Sequence, residues 1–452
     1  MGADLSRVRS NPLLDFAGVE LKQGGVLLDA DFNELVAVMD RRLRAVASDV
    51  LGRNTASQTT PDAFRIQVVG GALEIGKGRL YVDGLLAENH GLLSDDDADK
   101  LFDPLMAEVT FADPIVYGTQ PYLPNPPALP TAGRHLVYID VWDREVTHIE
   151  RPDLVEIAVG VETSSRKQTV WQVRVLDPDA GNATCETPDA EVNGWSSLIA
   201  PSTGRLTTDT FDVPPEDDPC ELPPTGGYRG RENQTYRVEI HDPGQPGAAT
   251  FKWSRENGSV ACRVASMVAG TELELPSLGR DDVLRFNTGD WVEITDDVRE
   301  FSQRAGEIRQ ITVNEAPRRI TFTPALPAEM IPGAFPDSDF PRTRNLRVRR
   351  WDQKHDVLRV AADGTTPVFQ DLDASAAGVI TVPAAGTTLL LENGVTVAFL
   401  RRPAPRGSAR VTTGSLPLEP RTRRWSGSST SRRAGFTITT AASGSGTLPP
   451  PR

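Results

Sequence analysis

The sequence predicts a mainly β protein: an N-terminal strand-turn-helix module, then antiparallel β-sandwich or small-barrel domains, and a disordered C-terminal tail. Three observations predict it. After residue 52 helical periodicity is scarce, while runs rich in Val, Ile and Thr sit between evenly spread Pro and Gly, the mark of many short strands joined by turns. Before residue 52 one stretch carries the spacing of a long helix. After residue 400 the composition changes: residues 401–452 hold ten Arg, no Lys and a single acid, Glu419, a charge of +9 against -23 for the first 400.

The opening module runs from Val19 to Arg53 and reads as a short strand, a Gly-Gly turn, a second strand and a helix. Asp31 is placed to accept from the free amides of the first helical turn, and Glu34, three residues on, to complete a capping box. Phe32, Val36, Met39, Leu43, Val46 and Val50 then recur at steps of four and three, the seam of a heptad repeat, until Gly52 offers a left-handed cap. Such a seam needs a partner. Fewer than three heptads suit a helix lying on its own sheet, which Phe64-Arg-Ile-Gln-Val and the Gly-broken run Leu73–Asn89 would supply. The other reading is an assembly seam against the same helix of a second or third subunit, or against a receiving structure.

A chain of 452 residues accommodates two to four domains, and 38% hydrophobic content is ordinary for a soluble protein. We expect an attachment module over 1–118, a Pro-rich linker or loop over 119–134, a β domain over 135–275, a β barrel or sandwich over 276–400, and the Arg-rich tail over 401–452. HLVYIDVWDREVT is a clean strand with Val137, Ile139 and Val141 on one face and Tyr138, Asp140 and Trp142 on the other, and QTVWQVRVL is its expected neighbour. Residues 177–227 lack periodicity and read as a long excursion. Two strands follow around Pro243-Gly244, with Val238 and Ile240 opposite Glu239 and His241. RTRNLRVRRWDQ, Arg342 to Gln353, is a basic run whose simplest reading is an exposed edge strand kept soluble by charge, the alternative being a subunit contact.

The net charge of -14 argues against a general nucleic-acid binder. Cys185, Cys220 and Cys262 are too few and scattered for a disulfide framework or a zinc site, so free thiols are expected, with a Cys185–Cys220 pair as the alternative. No apolar run reaches membrane-spanning length, no secretion signal opens the chain, and synthesis in the cytosol is expected. Asp95, Asp97 and Asp99 have the first spacings of an EF-hand loop, but Lys100 and Met106 stand where its Gly and Glu belong, and a solvated acidic loop is the better reading. No nucleophile elbow, phosphate loop, dinucleotide fingerprint or zinc-protease helix is present. Arg237, Glu239 and His241, beside Asp242, form the most site-like group, yet a strand face with both charge signs is usually the wet side of a sheet. We therefore expect no catalytic, metal or cofactor-binding residues and no enzyme activity.

The strings GVELKQGGVLLDADFNEL, GRLYVDGLLAEN, YIDVWDREVTHIERPDLVE, YRGRENQTYRVEIHDPG, FKWSRENGSV and GDWVEI resemble an uncharacterised bacterial family known as a domain of unknown function. The resemblance runs from about Leu5 to Phe399. Arg231 and Thr235 depart from its apolar pattern around the YRVEIH strand. The opening module is also similar to the N-terminal attachment module of phage tail-fibre and baseplate proteins. That second resemblance implies a structural component of a phage tail or phage-tail-like contractile particle, with the helix module docking, the β domains outward, and release from the cell within the particle. The partners expected with it are other particle subunits, a homo-trimer and a surface glycan; the acidic charge and the lack of a spanning run point to neither nucleic acid nor membrane. Alternating Tyr, Trp and Asp support a different class, a carbohydrate-binding or carbohydrate-cleaving β protein.

The family resemblance also implies a Gly-Asp-Tyr-Trp motif beyond Phe399 and, later, Pro-Pro-Arg-Gly-Ile-His-His-His. Codons can be chosen for Arg410 to Trp425 and for Arg432 to Thr440 such that reading from one base earlier restores both motifs in order. The tail is thus expected to be a frameshift product, with the shift between Phe399 and Arg410.

Overall fold

The computed structural model describes all residues except 1, 6–8, 92–104, 106–113, 185, 201, 212–234, 332–343, 402–412, 418–431 and 440–452, and gives only the backbone of residues 401, 413–417 and 432–439. It is mainly β, with antiparallel pairing in every pair of registered strands. The chain divides into two units, each assembled from separated stretches: unit 1 from 1–39, 144–168 and 202–429, unit 2 from 40–143, 169–201 and 430–452. This partition differs from the expected linear one. Residues 119–134 lie inside unit 2, where Leu123 is in the core and the Gln120 side chain accepts from the Val173 amide at 2.7 Å.

Unit 2 owes its core to period-2 alternation. In the strands Ala72–Ile75, Gly78–Val82 and Leu85–Asn89, every second residue is buried, and Leu73, Ile75, Leu80, Val82, Leu85 and Ala87 join one cluster. The long strand Arg134–Val146 adds Val137, Ile139 and Val141 to that cluster and turns Leu136 and Tyr138 to a second one around Trp195, as its alternation predicts. Arg166–Val175 is its neighbour in the sheet. Its Trp171 packs edge-on against Phe64 at 4.8 Å and donates to the Glu88 carbonyl. The stretch read as an excursion holds a helical turn, Trp195–Ile199, and in unit 1 the strand Gly204–Thr210.

Unit 1 contains two β bodies. A seven-stranded sheet, in the order 261–263, 347–351, 291–295, 307–314, 319–322, 272–274 and 266–269, collects Val264, Leu273, Phe286, Val292, Ile294, Ile311 and Val348 into one core. A five-stranded sheet containing 204–210 and 395–401 and a four-stranded sheet containing 235–240 and 250–254 share a second core through Tyr236, Val238, Phe251, Trp253, Leu389 and Val397. The boundary expected at 275/276 therefore falls within the seven-stranded sheet. In the tail, the strand Thr413–Pro417 adds to 235–240 and Arg432–Thr439 adds to 134–141; the rest of 401–452, and with it most of the expected disorder, lies outside the described residues.

Helix α1 spans Asp29–Val46 and continues as a wider turn to Leu51. It starts two residues before the expected cap: the Leu28 carbonyl takes the first bonds, and Asp31 lies in the first turn, ion-paired to Arg9 at 2.5 Å. Gly52 closes the helix at φ +86, its amide reaching the Ser48 carbonyl. The two strands expected before the helix are absent. Lys22–Gly25 makes the turn, but its flanks do not pair, and an isolated two-stranded ribbon is marginal in water.

Candidate functional site

Two features answer the sequence expectations, a buried ionic layer in unit 1 and the seam of α1. The layer follows from alternation on four strands. On Thr235–Ile240 and Thr250–Ser254, Tyr236, Val238, Phe251 and Trp253 enter the sandwich core, so Arg237, Glu239 and Lys252 must face the other way. On Trp291–Thr295 and Arg347–Trp351, Val292, Ile294 and Val348 enter the seven-stranded core, which leaves Glu293, Arg347, Arg349 and Trp351 on the opposite face. The two polar faces meet. The Lys252 ammonium lies 2.6 Å from Glu293 and 3.3 Å from Glu239, with its charge 4.7 Å from the centre of the Trp351 ring. Glu293 also accepts from the Trp351 indole and the Gly306 amide, and Glu239 pairs with Arg237 at 2.9 Å and Arg349 at 3.7 Å.

Of the sequence-predicted group, Arg237 and Glu239 do stand together, and His241 joins them, its Nδ1 3.4 Å from the Lys252 ammonium. Asp242 turns away to Thr250. This face is covered by a second sheet, not wetted. Burial opposes ionisation of Glu239, but Lys252, Arg237 and Arg349 outweigh it and hold the carboxyl at about 2. Glu293 is held down in the same way, against its burial, by Lys252 and Arg349. Burial and the neighbouring Lys252 push the His241 imidazole pKa down. Carboxylates fixed as anions are poor general acids, and an ammonium clamped between them is a poor nucleophile. What the arrangement can do is fix the register of two sheets.

The basic run corrects the expectation of an exposed edge. Arg347–Trp351 is a central strand, buried throughout, between 261–263 and 291–295. Its arginines are covered because each has acids or carbonyls to meet. Arg347 pairs with Glu300 and, at 2.8 Å, with Asp297, and Glu150 lies 3.9 Å away; against burial, these acids raise its pKa. Arg350 donates to the Val283 and Arg285 carbonyls and pairs with Asp352. Sequence reading missed Lys252 and Glu293, and took Arg347 for part of an exposed edge. The available signal was a lone charge between Phe251 and Trp253, since a residue flanked by core aromatics on a strand lies opposite a core.

The seam of α1 faces outward. Phe32, Val36, Met39, Leu43, Val46 and Val50 are between 48% and 75% exposed, whereas Ala30 and Val38 are buried. The sheet does back the helix, but from behind: Gly84, at φ +81, lies so close that an added Cβ would stand 2.5 Å from the Arg44 carbonyl oxygen. Arg44 also binds Asp40 and Asp143 there.

Among the described residues, no group of three or more His, Cys, Asp or Glu is arranged to hold a metal ion, and no helix is long and apolar enough to cross a membrane. The acidic loop, Cys185, Cys220 and Arg231 lie outside the described residues, while Cys262 is buried and free. Trp142, Trp171, Trp195, Trp253, Trp291 and Trp351 are all buried, so these rings offer no exposed platform for stacking a sugar.

Compared with known proteins, the sequence matches the profile of a family of unknown function (DUF6519) over residues 1–212 and 204–407. The chain belongs to that family. The family match covers both β bodies of unit 1 except the strand Thr413–Pro417, and ends near the point where the tail composition begins. No curated protein and no solved structure matches the chain.

Proposed function

We propose that this family member is a structural, non-catalytic component of a phage-tail-like contractile particle, of the baseplate or tail-fibre type, that docks to other subunits through the N-terminal helix with its β-rich body outward. The observation that carries the reading is the outward seam of α1, six apolar side chains at heptad spacing, half to three-quarters exposed on a helix whose opposite side is already held by Gly84 and Asp143. Exposed apolar surface of this regularity is characteristic of an interface. The ionic layer supports the same reading, because Lys252, Arg237 and Arg349 hold its two carboxylates as anions and those carboxylates clamp the lysine. The resemblance of the opening module supplies the kind of particle. The carbohydrate-binding alternative draws no support from the buried tryptophans.

The test is fractionation of tail-like particles from the native host. The protein should co-sediment with them, and a folded Leu43→Asp variant should remain in the free pool. A wild-type protein found only free, in cells that make such particles, would overturn the reading. Sheath, tube and spike genes beside its own would agree with it, and transporter and glycosidase genes would speak for the alternative.

A further inference from the structure

We infer that the partner of the α1 seam is a second copy of this chain, paired parallel and in register; this rests on the reading of α1 as an assembly surface. Two observations select that occupant. The first is area. The segment before the seam also exposes Leu13, Phe16, Leu21 and Leu27 by 51% to 86%, and of these Leu21 and Leu27 lie in residues predicted as strand that form none. At such exposures the six seam side chains by themselves present on the order of 600 Å² of apolar surface, the upper end of a single patch on an ordinary monomer, and two copies together reach the lower end of a standard interface.

The second is charge. With Val36, Leu43 and Val50 as one seam row and Phe32, Met39 and Val46 as the other, the flanking positions hold Asn33, Asp40 and Ala47 on one side and Leu35, Arg42 and Asp49 on the other. A parallel, in-register pair sets Leu35 beside Asp40 of the second copy and Arg42 beside its Ala47, so no like charges meet. An antiparallel pair that keeps all six seam residues in contact sets Arg42 against Arg42, while Asp40 is already paired with Arg44 of its own helix. Like-charge flanks specify against a pairing.

The test uses the full-length chain. In a parallel, in-register pair each seam residue faces its own counterpart, so Met39→Cys and Val46→Cys should give covalent dimers under mild oxidation. Arg41→Cys, on the far side, should stay at the wild-type background set by the native cysteines. Sedimentation should show a species larger than monomer at micromolar concentration, lost in Leu43→Asp with the circular dichroism unchanged. A monomeric wild type, or a dimer in which Val46→Cys does not cross-link, overturns the inference. The docking reading fails separately: it falls if Leu43→Asp still enters particles, and it survives a monomeric wild type if that variant is excluded from them.

Discussion

Lys252 and Glu293 meet at 2.6 Å with the lysine side chain wholly buried and the glutamate nearly so, on strands from two different sheets of unit 1. An ion pair in such a place adds little net stability over a well-packed apolar pair, but removing one partner leaves a buried charge exposed to its own kind. Here Glu239 and Glu293 would face each other without the ammonium between them, with Arg237 and Arg349 the cations left beside them.

Lys252→Met should therefore lower unfolding free energy by about 3–5 kcal/mol. Lys252→Met with Glu293→Gln should recover part of that loss. Urea denaturation with near-ultraviolet detection of the tryptophans measures both; a single-variant cost below about 1 kcal/mol would mean that water reaches the pair.

Stability should fall in acid through the same cluster. Glu239 titrates at about 2 in the folded protein against an ordinary 4.5, so its contribution is complete above the unfolded value and lost as pH falls from there to about 2. The gap corresponds to something on the order of 3 kcal/mol. Glu293 and Glu300, also depressed, act in the same direction. Glu239→Gln should flatten the fall in stability between pH 4.5 and 2, measured by chemical denaturation at each pH; an unchanged slope would place the acid sensitivity elsewhere.

Gly84→Ala should detach the back of α1 from its sheet. The new methyl would meet the Arg44 carbonyl at a distance no Cβ tolerates, from a backbone angle that favours glycine, and a cost of about 2 kcal/mol or more is expected. Amide exchange should rise across residues 40–51 and 78–89 together. Exchange that stays at wild-type values would show that the turn yields without loss.

A broad hydrolase screen should be blank, and His241→Ala should leave both its outcome and the fold unchanged, since the ring meets the Lys252 ammonium only at 3.4 Å and that ammonium keeps its two carboxylates. Turnover abolished by that substitution would displace the structural reading altogether.

Resequencing the gene should reveal a one-base shift between the codons for Phe399 and Arg410. The family match ends at 407, inside that window. A DNA sequence that confirms the present frame rejects the shift and leaves the Arg-rich tail as a feature of this chain.

Much of the β architecture was legible because alternation survives translation into structure: Leu73–Asn89, the two faces of Val137–Trp142 and the strand pair around Pro243 all stand as read. Periodicity says that a strand has two faces, not what covers each. Arg347, Arg349 and Glu239 looked wet because their neutralising partners are remote in sequence, Glu150 and Glu300 for Arg347, and Lys252, across a turn, for Glu239. For α1 the same limit worked in reverse: the seam was plain in the spacing, but nothing in the spacing told that the sheet would take the other side.

Unit 1 draws on three separated stretches of chain, and its strand Gly204–Thr210 pairs with Val395–Arg401. During synthesis that strand leaves the ribosome long before its partner exists. At about 5–20 residues per second the wait is roughly 10–40 s. Through that interval its edge is open to any extended chain nearby, a second nascent copy included, so that yield in a foreign host is expected to depend on elongation rate and on chaperones that shield β edges. No continuous fragment holds every stretch of one unit without stretches of the other between them, so expression of either unit alone is expected to fail.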